Sequence, residues 1–279
     1  MKYKHLNGNN NPMPQLGLGV FRVENNDTVK DAVKHAIISG YRSIDTAWIY
    51  GNEEMVGRGI KEGMEAAGIS RDELFITSKL WLDDFGRTQV AAGYQKSLDN
   101  LGLDYLDLFL IHWPGTDESL MIETWKGMED LYRAGKVNHI GVSNFNIEHL
   151  EALKAQTTIK PEMNQVEFHP YMTQTSLRNY LKEEGIQMES WSPLMNGDIL
   201  KDETVNEIAK AHNKSLAQIV IRWNIENDVV VIPKSVTPSR IEENIDVFDF
   251  SLTPEELKRI SSLNENKRIG PDPAEFNGK

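Results

Sequence analysis

The chain has no cysteine among its 279 residues. Disulfides, thiolate metal sites and cysteine nucleophiles are therefore excluded. Positive charge is scarce: 30 Lys and Arg stand against 42 Asp and Glu, a formal net charge of −12. Phosphate backbones are held by clustered Lys and Arg, so nucleic acid is not an expected partner. No apolar run approaches the ~20 residues of a membrane helix, and no membrane contact is expected. The opening residues Met1-Lys2-Tyr3-Lys4-His5 lack an apolar core, so no signal peptide is expected and the chain reads as soluble and cytoplasmic. Linker composition is missing too, so residues 1–279 read as one domain, and the acidic, mostly polar chain is expected to act as a monomer.

What the sequence does have is eight short apolar runs, most of them ending on a polar or ionisable residue. Ser43-Ile44 runs into Asp45, Phe75 to Ser78 into Lys79, and Leu106 to Ile111 into His112. Ile140-Gly141-Val142 leads to Ser143-Asn144, Glu162-Met163-Asn164 to Gln165, and Val229 to Pro233 to Lys234-Ser235. Helical patterns lie between them. Met121, Trp125, Met128 and Tyr132 share one helix face, and Gly40, Gly68, Gly135 and Gly185 stand where helices should stop. Strand then helix, repeated, predicts an α/β protein with a parallel sheet. The length suits a (β/α)8 TIM barrel, typically ~250 residues, whose strand-end loops build one shared site. An open doubly wound sheet is disfavoured, because Gly17-Leu18-Gly19 is followed by Arg22 where a third glycine would stand. Asn7 to Pro14 predicts the turn of an N-terminal β-hairpin. Ser215 to Asn227 predicts an extra helix, and Thr253-Pro254-Glu255-Glu256 opens a final C-terminal one with a capping box.

Asp45, Tyr50, Lys79 and His112 follow adjacent strands, so a barrel brings them together. A cation beside a phenol favours the phenolate, so Lys79 is expected to pull Tyr50 below its usual pKa of ~10. A carboxylate, Asp45, would hold the buried ammonium. His112 adds a hydrogen-bond donor where negative charge develops on an oxygen. Taken singly, Asp45–Lys79 is a structural salt bridge, Tyr50 a packed aromatic and His112 a core histidine. Together they suit protonation of a carbonyl oxygen.

Three segments resemble the signatures of the aldo-keto reductases. They are Gly40 to Ala47 with Tyr50, Glu53 and Gly57; Leu106 to Pro114; and Ile232 to Asn244. The resemblance runs from about Leu6 to Asn264. It implies a (β/α)8 barrel that uses NADPH/NADP+ to reduce aldehydes and ketones, with Tyr50 as general acid and Asp45, Lys79 and His112 as its partners. Ser143, Asn144 and Gln165 can bond a carboxamide, which offers both donor and acceptor. Trp191-Ser192-Pro193-Leu194 resembles the family's stacking segment, so Trp191 is expected against the nicotinamide, with Ser192 and Leu194 alongside. Lys234, Ser235 and Arg240 surround the helix start Thr237-Pro238, with Thr237 expected as its cap, which suits the extra phosphate of NADP(H). By the same resemblance Glu243 and Asn244 bond the adenine. Phe21, Trp48, Trp81 and Trp113 are expected to form an apolar substrate pocket.

After Leu194 the family continues with glycine, whereas this chain has Met195-Asn196-Gly197-Asp198, and an inward Asp198 would repel a pyrophosphate. The short tail resembles the bacterial branch acting on small aldehydes, dicarbonyls such as methylglyoxal, and keto sugars. Two other classes compete with this reading. A barrel that only senses NADP(H) would carry the same cofactor residues. A metal-dependent hydrolase would need grouped ligands, and His5, His35, His139, His149, His169 and His212 show no such grouping, so no metal is expected.

Overall fold

The longest apolar runs become strands buried on both faces, which is why they read as continuous rather than alternating. The computed structural model describes residues 1–6 and 11–278. Among the described residues an antiparallel pair, β1 (Tyr3–Lys4) and β2 (Met13–Pro14), precedes an eight-stranded parallel sheet. Of the turn expected over Asn7 to Pro14, residues 7–10 lie outside the described residues, and Met13–Pro14 is strand β2 rather than turn. The sheet runs in chain order through β3 (Leu18–Gly19), β4 (Ser43–Asp45), β5 (Phe75–Leu80), β6 (Leu106–Ile111), β7 (Val137–Ser143), β8 (Met163–Glu167), β9 (Gln187–Trp191) and β10 (Val230–Val231).

Its two ends meet. The Gly17 N–H donates to the Val231 carbonyl at 2.9 Å, and the Gly19 N–H donates to that of Pro233 at 3.2 Å. These bonds close the barrel, and they demand glycine: a Cβ at position 19 would stand 2.9 Å from the Ile232 carbonyl oxygen.

Each strand from β3 to β8 is followed by one helix on the outside. These are α1 (Asp27–Ile38), α2 (Glu53–Ala67), α3 (Val90–Leu101), α4 (Glu118–Arg133), α5 (Ile147–Gln156) and α6 (Thr175–Glu184). Both α7 (Glu203–His212) and the additional α8 (Leu216–Glu226) precede β10, and α9 (Pro238–Ile245) and α10 (Pro254–Ser261) follow it. Met121, Trp125 and Met128 bury the inner face of α4 as their spacing requires. The Thr253–Glu256 capping box starts α10, and Gly68 and Gly185 end α2 and α6 in the left-handed region. No helix among the described residues is long and apolar enough to cross a membrane.

The parallel register places the chemistry. Asp45 pairs with Thr77, Lys79 with Leu110, Ser143 with Gln165, and Gln165 in turn with Glu189. Asp45, Lys79 and Ser143 stand at or next to the C-terminal ends of their strands, where a barrel builds its site, and Gln165 and Glu189 stand mid-strand beside them.

Candidate active site

Lys79, at the end of β5, is fully buried. Its Nζ donates to Asp45 Oδ1 at 2.6 Å and to the Thr46 carbonyl at 2.8 Å. Burial disfavours the ammonium, but the effects that oppose it, led by the charge and hydrogen bond of Asp45, hold its pKa above the ordinary lysine value. Lys79 is therefore a fixed cation. It lies 5.2 Å from the centre of the Tyr50 ring, on the short 3-10 turn Trp48–Tyr50 that follows β4.

The phenol itself departs from the sequence expectation. Burial raises the Tyr50 pKa to about 12, outweighing the lowering by the Lys79 charge. The cation was correctly placed, but the cost of ionising a phenol away from water is the larger effect. Tyr50 is thus a firmly protonated hydroxyl. His112, 5.6 Å away ring to ring, is pushed well below the usual histidine range by burial and by the Lys79 charge. It is a neutral imidazole, and its Nδ1 is buried without a partner among the described residues. Only Nε2 can address a ligand.

A second, hydrogen-bonded group adjoins the first. Asn144 adopts a left-handed φ of 63°. This turns its side chain back to donate to the His112 carbonyl at 3.0 Å and to Ser143 Oγ at 3.1 Å, while its carbonyl accepts the Trp191 indole N–H at 2.8 Å. A non-glycine residue held in this region is strained, and such strain collects at functional sites. Ser192 shares it, with a φ of 51°. Gln165 is bound more tightly than its sequence suggests. Its amide donates to Asp45 Oδ2 at 2.8 Å and to Glu189 Oε2 at 2.7 Å. Both hydrogens are therefore spent on carboxyl groups, and only the carbonyl oxygen is left for a ligand.

The third cluster lies beyond β10. Lys234 and Arg240 are exposed, with no ion-pair partner among the described residues, whereas Ser235 and Asn244 are buried. Pro238 opens α9 as expected, but the Thr237 hydroxyl caps nothing. Ser235 Oγ instead accepts the Thr237 N–H at 3.2 Å. Glu243 accepts a bond from the Ser215 hydroxyl. Asp198 is exposed and pairs with Lys201 at 3.0 Å, which offsets its charge. Leu194, half-buried, stands at the start of the kinked turn Met195–Lys201.

Of the four pocket aromatics, two pack against the phenol and imidazole. Phe21 lies 4.9 Å from the Tyr50 ring and is 49% exposed. Trp81 stands edge-on to His112 at 5.2 Å, and Trp113 lies 4.3 Å from Phe276. The ring contact of Trp48 is with the Lys96 ammonium, on α3.

Two features escape a motif reading. Phe276, from the C-terminal tail, also stands 6.1 Å from Trp81 and completes the aromatic wall. The tail is tied down by Glu167, whose carboxylate accepts the N–H groups of Ile269 at 2.7 Å and Gly270 at 3.0 Å, with His169 at 2.9 Å. These bonds hold the Glu167 carboxyl below its usual pKa despite burial. Gly270 sits on Trp191, where a Cβ would come within 2.5 Å of the indole. Bonds to a charged acceptor contribute about 1.5–3 kcal/mol each. Glu167→Ala should therefore speed amide exchange at Ile269 and Gly270 at least about tenfold, measured by hydrogen–deuterium exchange.

A sequence model of the Aldo/keto reductase family matches residues 15–265. Among curated proteins, the chain is 54% identical over 264 residues to "Glyoxal reductase" of Bacillus subtilis (strain 168), covering 95% of this chain and 94% of that protein. It is 47% identical over 270 residues to "Methylglyoxal reductase DkgA" of Escherichia coli (strain K12), covering 96% of each. Among solved structures, a Bombyx mori aldo-keto reductase in complex with NADP superposes with a TM-score of 0.91 at 39% identity, covering 97% of this chain and 95% of that one. A variant of Gox0644 in complex with NADPH gives a TM-score of 0.92 at 40% identity, covering 99% and 98%. With motifs, barrel and strand-end side chains in agreement, this chain belongs to the aldo/keto reductase family.

Proposed function

We propose that this protein reduces small aldehydes, dicarbonyls such as methylglyoxal, or keto sugars to alcohols at the expense of NADPH, with Tyr50 as the general acid. The observation that carries the reading is the convergence of a buried Asp45–Lys79 pair, a protonated phenol and a neutral imidazole at one end of the barrel. The residues present fit the cofactor. The side-chain carbonyl oxygens of Gln165 and Asn144 suit the carboxamide's N–H groups, and the Ser143 hydroxyl, which donates to the Gln165 backbone carbonyl at 2.8 Å, would turn to the carboxamide oxygen when the cofactor binds. Trp191, its N–H held by Asn144, offers a fixed flat face to the ring. Lys234 and Arg240, without an ion-pair partner among the described residues and beside the start of α9, with its Thr237 hydroxyl not used as a cap, suit the extra phosphate.

When bound, NADPH supplies the hydride to the carbonyl carbon. The chain's own residues do the rest. His112 Nε2 orients the carbonyl oxygen toward Tyr50. As the carbon–oxygen double bond becomes a single bond, that oxygen develops alkoxide character. An alkoxide is a far stronger base than a phenolate, so the Tyr50 proton moves to it even from a high pKa. Lys79 then sits beside the phenolate that remains and stabilises it. The aromatic wall of Phe21, Trp81, Trp113 and Phe276 excludes water while this happens.

The testing experiment is a substrate panel with NADPH and NADH against methylglyoxal, aromatic aldehydes and keto sugars. Reduction with NADPH supports the reading, and no carbonyl reduced with either cofactor overturns it. Arg240→Ala should raise the KM for NADPH about tenfold, the worth of one charge-assisted phosphate contact, and leave the KM for NADH nearly unchanged. The same reading has the enzyme acting as a monomer in the cytoplasm, which sedimentation and fractionation check.

A further inference from the structure

Beneath the proposed catalytic group lies a carboxyl that the mechanism above does not use. Glu189, in the middle of β9, is completely buried. Its Oε2 accepts a hydrogen from the same Gln165 amide that donates its other hydrogen to Asp45 Oδ2. Its Oε1 has no hydrogen-bond partner among the described residues. The charged and titratable groups that face it are Asp45 from β4, Lys79 from β5 and Tyr50 from the turn after β4. Its strand neighbours, Gln165 on β8 and Val230 on β10, carry no charge.

Two carboxylates and one ammonium would leave this well with an unbalanced negative charge, far from water. A neutral carboxyl removes that imbalance and tolerates the unpartnered oxygen better than a carboxylate does. We propose that Glu189 is a positioning residue that works in its protonated form. It holds the Gln165 amide in place and leaves Asp45 as the sole counter-charge to Lys79, so that the Tyr50 phenolate can form. The inference rests on the reading of Tyr50 as the acid.

Its consequence is a pH dependence. Burial and the Asp45 charge raise the Glu189 pKa well above the usual carboxylate range. Once the pH passes that raised value the residue ionises and adds a negative charge beside the phenol, and this charge makes Tyr50 a weaker acid. Turnover therefore falls as pH rises past the Glu189 value, well before Tyr50 itself titrates near 12.

The experiment compares the kcat–pH profiles of the wild type and Glu189→Gln for reduction of an aromatic aldehyde by NADPH, each normalised to its own plateau. The neutral amide cannot ionise, so the alkaline limb should move up by on the order of one pH unit or more. Glu189→Met, apolar and similar in length, serves if the amide variant does not fold, with the same expected shift. Difference infrared spectroscopy at neutral pH supplies a readout without turnover. A protonated-carboxyl carbonyl band should be present in the wild type and missing in the variant. Superimposable profiles, or no such band in the difference spectrum, overturn the inference. A wild type that reduces no carbonyl would instead overturn the proposed function, and the infrared band would still decide whether Glu189 is protonated.

Discussion

Tyr50→Phe should lower turnover by ~10²–10⁴-fold, the contribution of a positioned general acid, and change NADPH affinity by no more than a small factor. The substitution removes one hydroxyl and keeps the ring. The Phe21 and His112 rings therefore keep the neighbour they pack against, at 4.9 Å and 5.6 Å. His112 cannot replace the lost proton, because its pKa lies well below the usual histidine range and it is neutral at working pH. Lys79 is held as a cation by Asp45 and could act only across the gap the hydroxyl leaves. Steady-state kinetics and a fluorescence titration with NADPH separate the two effects. A loss in binding equal to the loss in turnover would mean that Tyr50 shapes the site rather than supplying the proton.

Lys79→Met should destabilise the fold by about 3–5 kcal/mol, the cost of leaving one member of a buried pair unpaired. Lys79 is fully buried and Asp45 2% exposed, so water cannot take the place of the missing ammonium. Adding Asp45→Asn should restore most of that stability, because the amide still accepts from Gln165 without carrying charge. It should not restore turnover, because the phenolate would then form with no cation beside it. Urea denaturation measures both variants on the same scale. A double variant as active as the wild type would reduce the pair to a structural salt bridge.

Much of this arrangement could be read directly from the chain. Leu106 to Ile111 is unbroken because β6 is covered on both faces, and His112 is recognisable because it interrupts that run. Even β10, two residues long, lies inside the apolar run Val229 to Pro233. The strand-end rule alone brings Asp45, Lys79 and His112 together. Quantities set by solvation were not legible. The spacing of Tyr50 and Lys79 shows an attraction, but not that burial outweighs it. Contacts made across the barrel were hidden as well. Gln165 looks like a free carboxamide partner until Glu189 and Asp45 are seen to take its hydrogens. Glu189 did carry a signal, since a charge two residues before Trp191 in a strand shares its face. The Glu167 hold on the tail left none, because its partners are backbone N–H groups a hundred residues away.

The central claim is that Tyr50 delivers a proton to a carbonyl as bound NADPH is oxidised. Single-turnover mixing of NADPH-loaded protein with methylglyoxal, followed by the loss of reduced-cofactor absorbance, tests it most directly. The account predicts one fast phase in the wild type, slowed at least about a hundredfold in Tyr50→Phe. Equal rates in the two proteins, or cofactor left unoxidised by the wild type, would contradict it.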